Sequence, residues 1–181
     1  SIRKVAQMGH PVLRELAHPL TEKQIKDPEV QQLIDDMIVT MREYDGVGLA
    51  APQVHESLQI AVVEIVEDPE NPSPDDMPIT VIINPKITFL TNETMGIWEG
   101  CLSVAGMRGY VERPRKIRLE ALDRFGKKID KVYEGFPAVA IQHETDHLFG
   151  KLFIDRMTDL KKLMFNNEFQ KYHMGDEPDM E

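Results

Sequence analysis

The chain has 181 residues, of which 41% are hydrophobic and 29% are charged, a composition typical of one globular domain. Its 21 basic and 31 acidic residues give a formal net charge of −10. An acidic balance of this size argues against direct nucleic-acid binding, because phosphate neutralisation requires clustered basic residues. No stretch approaches the roughly 18 apolar residues of a membrane span, so we expect no membrane partner.

Cysteine content and the first residues bear on the cellular compartment. The sequence has a single cysteine, Cys101, so no disulfide can form within the chain, as expected in a reducing compartment. No apolar signal core follows the first residues, which indicates that a secretory signal is absent or was removed. Both features favour a cytosol-like environment.

The first long helix is predicted over residues 27–44. Asp27 can cap its N-terminus, Pro28 suits the first helical position, and apolar residues follow at the i, i+3, i+4 spacing of one buried stripe. Gly46 can end this helix, and a glycine-rich link over residues 46–53 follows.

The rest of the chain contains strand-like segments and two further helices. Apolar, β-branched segments predict strands at residues 58–66, 79–84, 86–90, 109–111, 117–122 and 128–133, with a hairpin turn at residues 123–126. The acidic, proline-rich residues 67–78 predict a surface loop. A second helix begins near Pro137 and is closed by Gly150, and a third is predicted over residues 158–171.

This element order predicts the fold class. A helix, a run of strands and then two helices favour an α+β fold with mostly antiparallel sheets over alternating βαβ units. The second helix is apolar on nearly all sides, so we expect the sheets to pack around it as a buried helix. We expect one domain over residues 1–181, with an acidic C-terminal tail at about residues 172–181.

The second helix carries the strongest chemical pattern in the chain. His143 and His147 are separated by four residues and therefore lie on one helical face, where both can bind one metal ion. Glu144 cannot share that face as a ligand, but it can act as a general base. The alternative is a pair of stacked histidines without a metal. That alternative is disfavoured, because polar groups on a buried helix need a partner.

Two histidines leave a catalytic metal site short of its usual third protein ligand. Cys101 follows a strand-like segment, and a thiolate is a strong ligand for soft or borderline divalent metals. An inert buried thiol is the alternative interpretation of Cys101. Downstream candidates for the third ligand are Asp155, Glu168 and His173.

The glycine-rich link at residues 46–53 superficially resembles a dinucleotide-binding fingerprint. However, it follows a helix instead of a strand, and no amphipathic helix begins at its end. A better use is close backbone approach to a ligand, with the Gln53 side chain as an amide donor.

Three segments in this order resemble the signature motifs of peptide deformylases. They are residues 46–53 (Gly-Val-Gly-Leu-Ala-Ala-Pro-Gln), 99–103 (Glu-Gly-Cys-Leu-Ser) and 142–147 (Gln-His-Glu-Thr-Asp-His). Residues 8–14 and 150–155 are also similar to that family, and the resemblance extends over roughly residues 2–157. Ala105 departs from the proline that many bacterial members carry, which affects the subclass and leaves the reaction unchanged.

The resemblance implies a function and a set of roles. The activity would be removal of the formyl group from N-terminal formylmethionine of newly synthesised proteins, with release of formate. Cys101, His143 and His147 would bind one divalent metal, expected to be ferrous iron, with zinc, nickel or cobalt as possible substitutes. Glu144 would be the acid/base, and the Gln53 side chain and Leu102 N–H would hold the oxyanion, so Gln53, Leu102 and Glu144 form the expected catalytic set.

The same resemblance suggests how the substrate binds. Extended peptide would lie near Val47, Gly48 and Gly100, and the methionine side chain would enter an apolar pocket. The candidate pocket residues are Val47, Phe136, Val139 and Ala140, with Arg108 at the mouth. Core packing is the alternative for the four apolar residues. Glu99 and Arg113 are either a supporting ion pair or ordinary surface charges.

The expected partners are formylmethionyl nascent peptides emerging at the ribosome of a bacterial cytoplasm, or of an organelle whose targeting segment has been removed. One rival function is a peptidase that uses the same helix motif with a downstream third ligand. A second is a noncatalytic metal-binding or peptide-binding module, which would have no need of Glu144. The presence of Glu144 therefore favours an enzyme.

Overall fold

A computed structural model describes residues 1–175 and 179–180. The helices of this part of the chain are α1 (Glu22–Ile25), α2 (Pro28–Glu43), α3 (Phe136–Leu148), α4 (Phe153–Arg156) and α5 (Asn166–Tyr172). Its strands are β1 (Gly48–Ala50), β2 (Ile60–Ile65), β3 (Met77–Phe89), β4 (Thr94–Gly100), β5 (Met107–Pro114), β6 (Lys116–Leu122), β7 (Lys128–Glu134), β8 (Leu163–Phe165) and β9 (Asp179–Met180). Short 3-10 turns lie at Pro11–Arg14, Ala51–Val54 and Leu160–Lys162.

The strands form two sheets. One has five strands in the order β1-β2-β3-β6-β7, and the other has four strands in the order β8-β5-β4-β9. The strand pairs are antiparallel, apart from the parallel pairing of β4 with β9. This arrangement confirms the predicted α+β class with mostly antiparallel sheets.

Helix α2 closely matches the helix predicted over residues 27–44. The Asp27 carboxylate accepts a hydrogen bond from the Glu29 N–H at 2.9 Å, and Pro28 is the first helical residue. The apolar stripe is buried and packs with residues of β2 and β3; its buried members are Leu33, Ile34, Met37 and Met41. The capping residue and the spacing of the apolar positions therefore account for this element.

Helix α3 is buried along almost its whole length, as its sequence predicts. Ala138, Ala140 and Ile141 have no exposed surface, and the helix packs against β1 and β2 of the five-stranded sheet. Gly150 follows the helix with φ of +75°, and a Cβ there would lie 2.7 Å from the carbonyl oxygen of Arg14. Both the backbone angle and the close approach require glycine at this position.

The third helix predicted over residues 158–171 is correct only from residue 166 onward, where α5 lies, and is wrong for residues 158–165. Asp159 caps the 3-10 turn Leu160–Lys162, strand β8 pairs with β5, and only then does α5 begin. Hydrogen bonding of residues 163–165 to the edge of the four-stranded sheet has overridden their local helical preference.

The strands predicted at residues 79–84 and 86–90 are one strand, β3. Its pairing with β6 shifts register between Ile83 and Lys86, and Asn84 has a positive φ of 53° at that point. The Asn84 side chain forms two hydrogen bonds with the backbone of Leu20: Oδ1 accepts from the Leu20 N–H at 2.9 Å, and Nδ2 donates to the Leu20 carbonyl at 2.8 Å. The irregularity therefore serves a long-range contact and does not end the strand.

The predicted acidic loop, residues 67–78, is mostly exposed, and its last two residues already belong to β3. The predicted acidic tail, residues 172–181, falls partly outside the described residues, at residues 176–178 and 181. Within the described part of the chain, no helix combines the length and apolarity needed to cross a bilayer.

Candidate metal centre and catalytic site

The fold brings together three distant segments. Strand β4 ends at Gly100, so Cys101 is the first residue beyond it, while His143 and His147 lie on successive turns of α3. One ligand atom from each of Cys101, His143 and His147 lies within 4.8 Å of the others. Both histidines are buried, and the cysteine is partly buried.

The spacing of these atoms fits one metal ion. The Cys101 sulfur lies 3.5 Å from Nε2 of His147. A tetrahedral ion about 2.3 Å from sulfur and about 2.0 Å from nitrogen places those two atoms about 3.5 Å apart. A sulfur and two imidazole nitrogens suit a borderline divalent metal, and three protein ligands leave a position for water. Among the described residues, the donor that joins the two histidines in this group is the upstream cysteine, and the downstream candidates Asp155, Glu168 and His173 are outside it.

A hydrogen bond orients the imidazole of His143, and burial acts on the protonation of His147. Nδ1 of His143 lies 2.7 Å from the Glu99 carboxylate, which leaves Nε2 as the ligand nitrogen. Burial lowers the pKa of His147 well below its usual range, and the nearby His143 adds to this effect. His147 is therefore neutral, the form in which imidazole binds metals.

A chain of charged side chains continues outward from Glu99. Arg113 makes two hydrogen bonds to Glu99, at 2.6 and 3.0 Å, so of the two interpretations left open by the sequence the ion pair is the one observed. Arg113 also contacts Asp146 at 2.9 Å, and Arg156 binds Asp146 through two hydrogen bonds. Burial opposes ionisation of Glu99, but Arg113 and His143 outweigh it and lower the pKa of the carboxyl group. Asp146 and Arg156 were not identified from the sequence, because only the fold brings them to Arg113.

Glu144 lies beside the ligand atoms with its carboxylate largely uncommitted. Its Oε2 atom is 4.0 Å from Nε2 of His143, and among the described residues Oε1 has no hydrogen-bond partner. The side chain is 4% exposed, and this burial raises the pKa of Glu144 to about 7. A carboxyl group with a pKa near neutrality is suited to both taking up and releasing a proton.

Position 48 must be glycine because the Glu144 side chain lies against it. A Cβ on Gly48 would lie only 2.6 Å from Cγ and Cδ of Glu144, closer than real Cβ contacts. The glycine-rich link thus provides close backbone approach, and what it approaches in this structure is the Glu144 side chain.

Gln53 presents an oriented amide beside Cys101. Its Oε1 accepts a hydrogen bond from the Ala50 N–H at 2.9 Å, so Nε2 is the end that faces the site. Nε2 donates to the Ser103 hydroxyl at 3.0 Å and lies 3.5 Å from the Cys101 sulfur. The Leu102 N–H, next to Cys101, donates to none of the described residues. The Leu102 N–H is thus available beside Cys101, and the Nε2 amide of Gln53 lies on the same side with its hydrogens directed at Ser103 and Cys101.

A cleft of about 490 Å³ opens at this site. Its lining includes three groups named above, Gln53, Cys101 and Glu144, and three residues predicted to contact substrate, namely Val47, Gly48 and Gly100. The lining also contains residues that sequence reasoning missed, from the N-terminal segment, the turn after α2 and the start of α5; examples are Lys4, Asp45 and Asn166.

The other predicted pocket residues are not among those that line the cleft. Val139 and Ala140 belong to one buried apolar cluster, against which Phe136 and the cleft residue Val47 pack. Arg108 is buried, with its guanidinium 4.6 Å above the Phe169 ring. The predicted contacts of these side chains with substrate stay predictions.

The family model described as polypeptide deformylase matches residues 2–163. The chain belongs to the peptide deformylase family. A peptide deformylase of Leptospira biflexa is 44% identical over 169 residues, which are 93% of this chain and 94% of the relative. A peptide deformylase of Pseudomonas aeruginosa is 42% identical over 173 residues, or 96% of this chain and 97% of the relative.

Solved structures of peptide deformylases share the fold. The Met-Ala-Ser-bound crystal structure of a class I type b enzyme from Acinetobacter baumannii superposes with a TM-score of 0.81 at 38% identity, covering 87% of this chain and 99% of that one. The Thermotoga maritima enzyme gives a TM-score of 0.78 at 35% identity, covering 88% and 99%. The chain is thus a metal-dependent hydrolase that removes the N-formyl group from N-terminal formylmethionine.

Proposed function

We propose that Cys101, His143 and His147 hold the metal of this deformylase and that Glu144 moves the protons of the reaction. The single observation that carries this assignment is the convergence of the three ligand atoms within 4.8 Å, beside Oε1 of Glu144, which has no hydrogen-bond partner among the described residues. When bound, the cation supplies a positive charge that makes water more acidic and polarises the formyl carbonyl.

Glu144 performs two proton transfers in this assignment. Its carboxylate takes a proton from the attacking water at Oε1, the oxygen that has no partner among the described residues. The same carboxyl group then donates that proton to the departing amine, so that formate and a free amino terminus are released. The raised pKa of Glu144 supports both roles, because neither protonation state is strongly favoured near neutral pH.

Gln53 and Leu102 stabilise the negative charge that develops on the formyl oxygen. The Nε2 amide of Gln53 and the N–H of Leu102 are donors on the Cys101 side of the cleft. Because Ala50 holds Oε1 of Gln53, the donor is oriented before substrate arrives, which is the condition for effective oxyanion stabilisation.

We also propose ferrous iron as the resident metal, bound to a single catalytic domain over residues 1–181 in the bacterial cytoplasm. A thiolate donates charge to the ion and weakens its Lewis acidity, which gives a reason for a metal other than zinc to work best. Zinc, nickel and cobalt also suit a cysteine and two histidines. The nascent formylated peptide at the ribosome is the proposed partner, without contact to nucleic acid or membrane, and the bacterial relatives support this location.

Formate release tests the function directly. The protein, purified without oxygen, should release formate from a formyl-Met-Ala-Ser peptide and should leave the acetylated peptide and internal peptide bonds intact. Internal cleavage, detected by mass spectrometry, would support the peptidase alternative.

Cys101→Ser should weaken metal binding or change metal preference, and an unchanged metal content and affinity would remove Cys101 from the ligand set.

Metal analysis of the same anaerobic preparation tests the identity of the ion. We expect about one iron per chain and a loss of activity when a chelator removes it, with restoration by ferrous iron. Full occupancy by zinc in active, anaerobically purified protein would contradict the proposal for iron.

A further inference from the structure

The C-terminal segment beyond residue 163 forms part of the cleft wall. Strand β8 pairs with β5, with Phe165 opposite Met107, and the next residue, Asn166, donates its backbone N–H to the Gly106 carbonyl at 2.8 Å. Asn166 is among the residues that line the cleft. This residue lies outside the part of the chain that the family model matches.

The orientation of the Asn166 side-chain amide is fixed by Arg108. The Arg108 Nε atom lies 2.9 Å from Oδ1 of Asn166. A guanidinium can only donate, so the amide oxygen must be the atom that faces it. Arg108 is itself 4% exposed and lies over the Phe169 ring, so it holds that oxygen from a packed position.

The amide nitrogen of Asn166 is then free to act in the cleft. Nδ2 carries two donors and makes no hydrogen bond with the described residues. A donor held in this way at a cleft wall suits a backbone carbonyl of an extended peptide, because such a carbonyl is an acceptor whatever the side chain.

The sheet register gives the distance from the reacting end. Gly100, which precedes Cys101, pairs with Arg108 on β5, and Arg108 pairs with Met164 on β8. Neighbouring strands are about 4.8 Å apart, so β8 lies roughly 10 Å from the end of β4. An extended peptide covers that distance in roughly three residues.

We propose that the Nδ2 amide of Asn166 donates a hydrogen bond to a backbone carbonyl of the substrate two or three residues after the formylmethionine. Asn166 is then a residue that determines the preference for longer peptides, independently of their side chains. This inference rests on the proposed assignment of the cleft as the deformylation site.

The test uses Asn166→Asp, which keeps an oxygen for Arg108 and removes the amide donor. The substrates are formyl-Met-Ala amide and formyl-Met-Ala-Ser-Ala amide, both without a C-terminal charge. We expect the variant to lower kcat/KM about 10-fold on the longer peptide, mainly through KM, and to remain within about twofold on the shorter one. The neighbouring, exposed Asn167→Asp is the matched control and should behave like the unmodified protein on both.

A change in the substrate supplies a second measurement. Replacing a downstream amide of the longer peptide by an ester weakens its carbonyl as an acceptor, and this should cost the unmodified protein more than Asn166→Asp. Equal losses on both peptides, or no loss on either, would overturn the inference while formate release by the unmodified protein continued. Absence of formate release by the unmodified protein would instead overturn the proposed function.

Discussion

Glu99 accepts a hydrogen bond from His143 through a contact of 2.7 Å between its carboxylate and Nδ1 of the imidazole. Glu99 is fully buried and is held on its other side by Arg113. This contact fixes the ring orientation of His143 with Nδ1 toward Glu99, which leaves Nε2 for the group formed with Cys101 and His147. The imidazole of His143 is thus oriented by a buried carboxylate that is itself held by Arg113.

Replacing Glu99 by glutamine should weaken metal binding by about 10-fold to 100-fold. The amide keeps the shape of the side chain but loses the charge that pairs with Arg113. Competition with a metal chelator measures the affinity, and Glu112→Gln, at an exposed position one residue before Arg113, is the control. An affinity equal to that of the unmodified protein would show that Glu99 does not support the ligand.

Glu144→Gln should retain its metal and lose more than about 100-fold in turnover, because the amide cannot accept the proton of the attacking water. Its volume matches that of glutamate, so the apolar surroundings and Gly48 should stay in place. Formate release and metal content are measured on the same sample. Near-normal turnover would exclude the acid/base role.

Gln53→Ala should lower kcat by about 10²–10³, because one donor to the developing oxyanion is lost. Ser103→Ala removes the hydroxyl that accepts from Gln53 Nε2 while leaving the donor itself, and should cost less than about 10-fold. If the change at Gln53 appeared only in KM, the amide would be a substrate-binding group without a role in the transition state.

Gly48→Ala should reduce turnover by about 100-fold or more with its metal retained. The new methyl group would displace the Glu144 carboxylate, whose Cγ and Cδ lie 2.6 Å from the Cβ position. Gly46→Ala is the matched control in the same link, because its Cβ would meet nothing closer than 3.4 Å. Equal activities of the two variants would contradict the steric argument.

In the protein treated with a chelator, the contribution of Glu144 to stability should fall as pH rises from about 5 to 8. Burial raises the pKa of Glu144 from 4.5 to about 7, so the folded state holds this proton more tightly than the unfolded state. The resulting stabilisation is complete below pH 4.5 and is lost as pH rises through about 7. Glu144→Gln has no such proton, so its stability relative to the unmodified protein should increase over this range by on the order of 1–3 kcal/mol. Urea unfolding at pH 5.5 and 8 measures the difference, and parallel pH profiles would contradict it.

The predictable parts of the site are those whose residues lie close together in the sequence. His143 and His147 belong to one helix, so their common face follows from 3.6 residues per turn. Spacing alone did not decide whether Cys101 is a metal ligand, and that expectation came from the resemblance to the family. Asp146 and Arg156 support the site through contacts across the fold with Arg113, and no local pattern distinguishes them from surface charges.

Elements with their own capping and periodicity were predictable, and those defined by pairing were not. Helix α2 follows from Asp27, Pro28 and its apolar stripe. Strand β8 has three residues and forms because β5 offers an open edge, which turned a predicted helix into a strand. The same pairing brings Asn166 to the cleft, so local sequence patterns could not predict that this residue lines it.

The positions of the three ligand residues have a mechanical consequence. Cys101 leaves the end of the four-stranded sheet, whereas His143 and His147 belong to a helix that lies on the five-stranded sheet. A shared ion would therefore link the four-stranded sheet to the helix on the five-stranded sheet in a chain that has no disulfide. Its binding energy would then add to the stability of the folded state. Loss of the ion would then loosen the joint between the sheets as well as stop turnover.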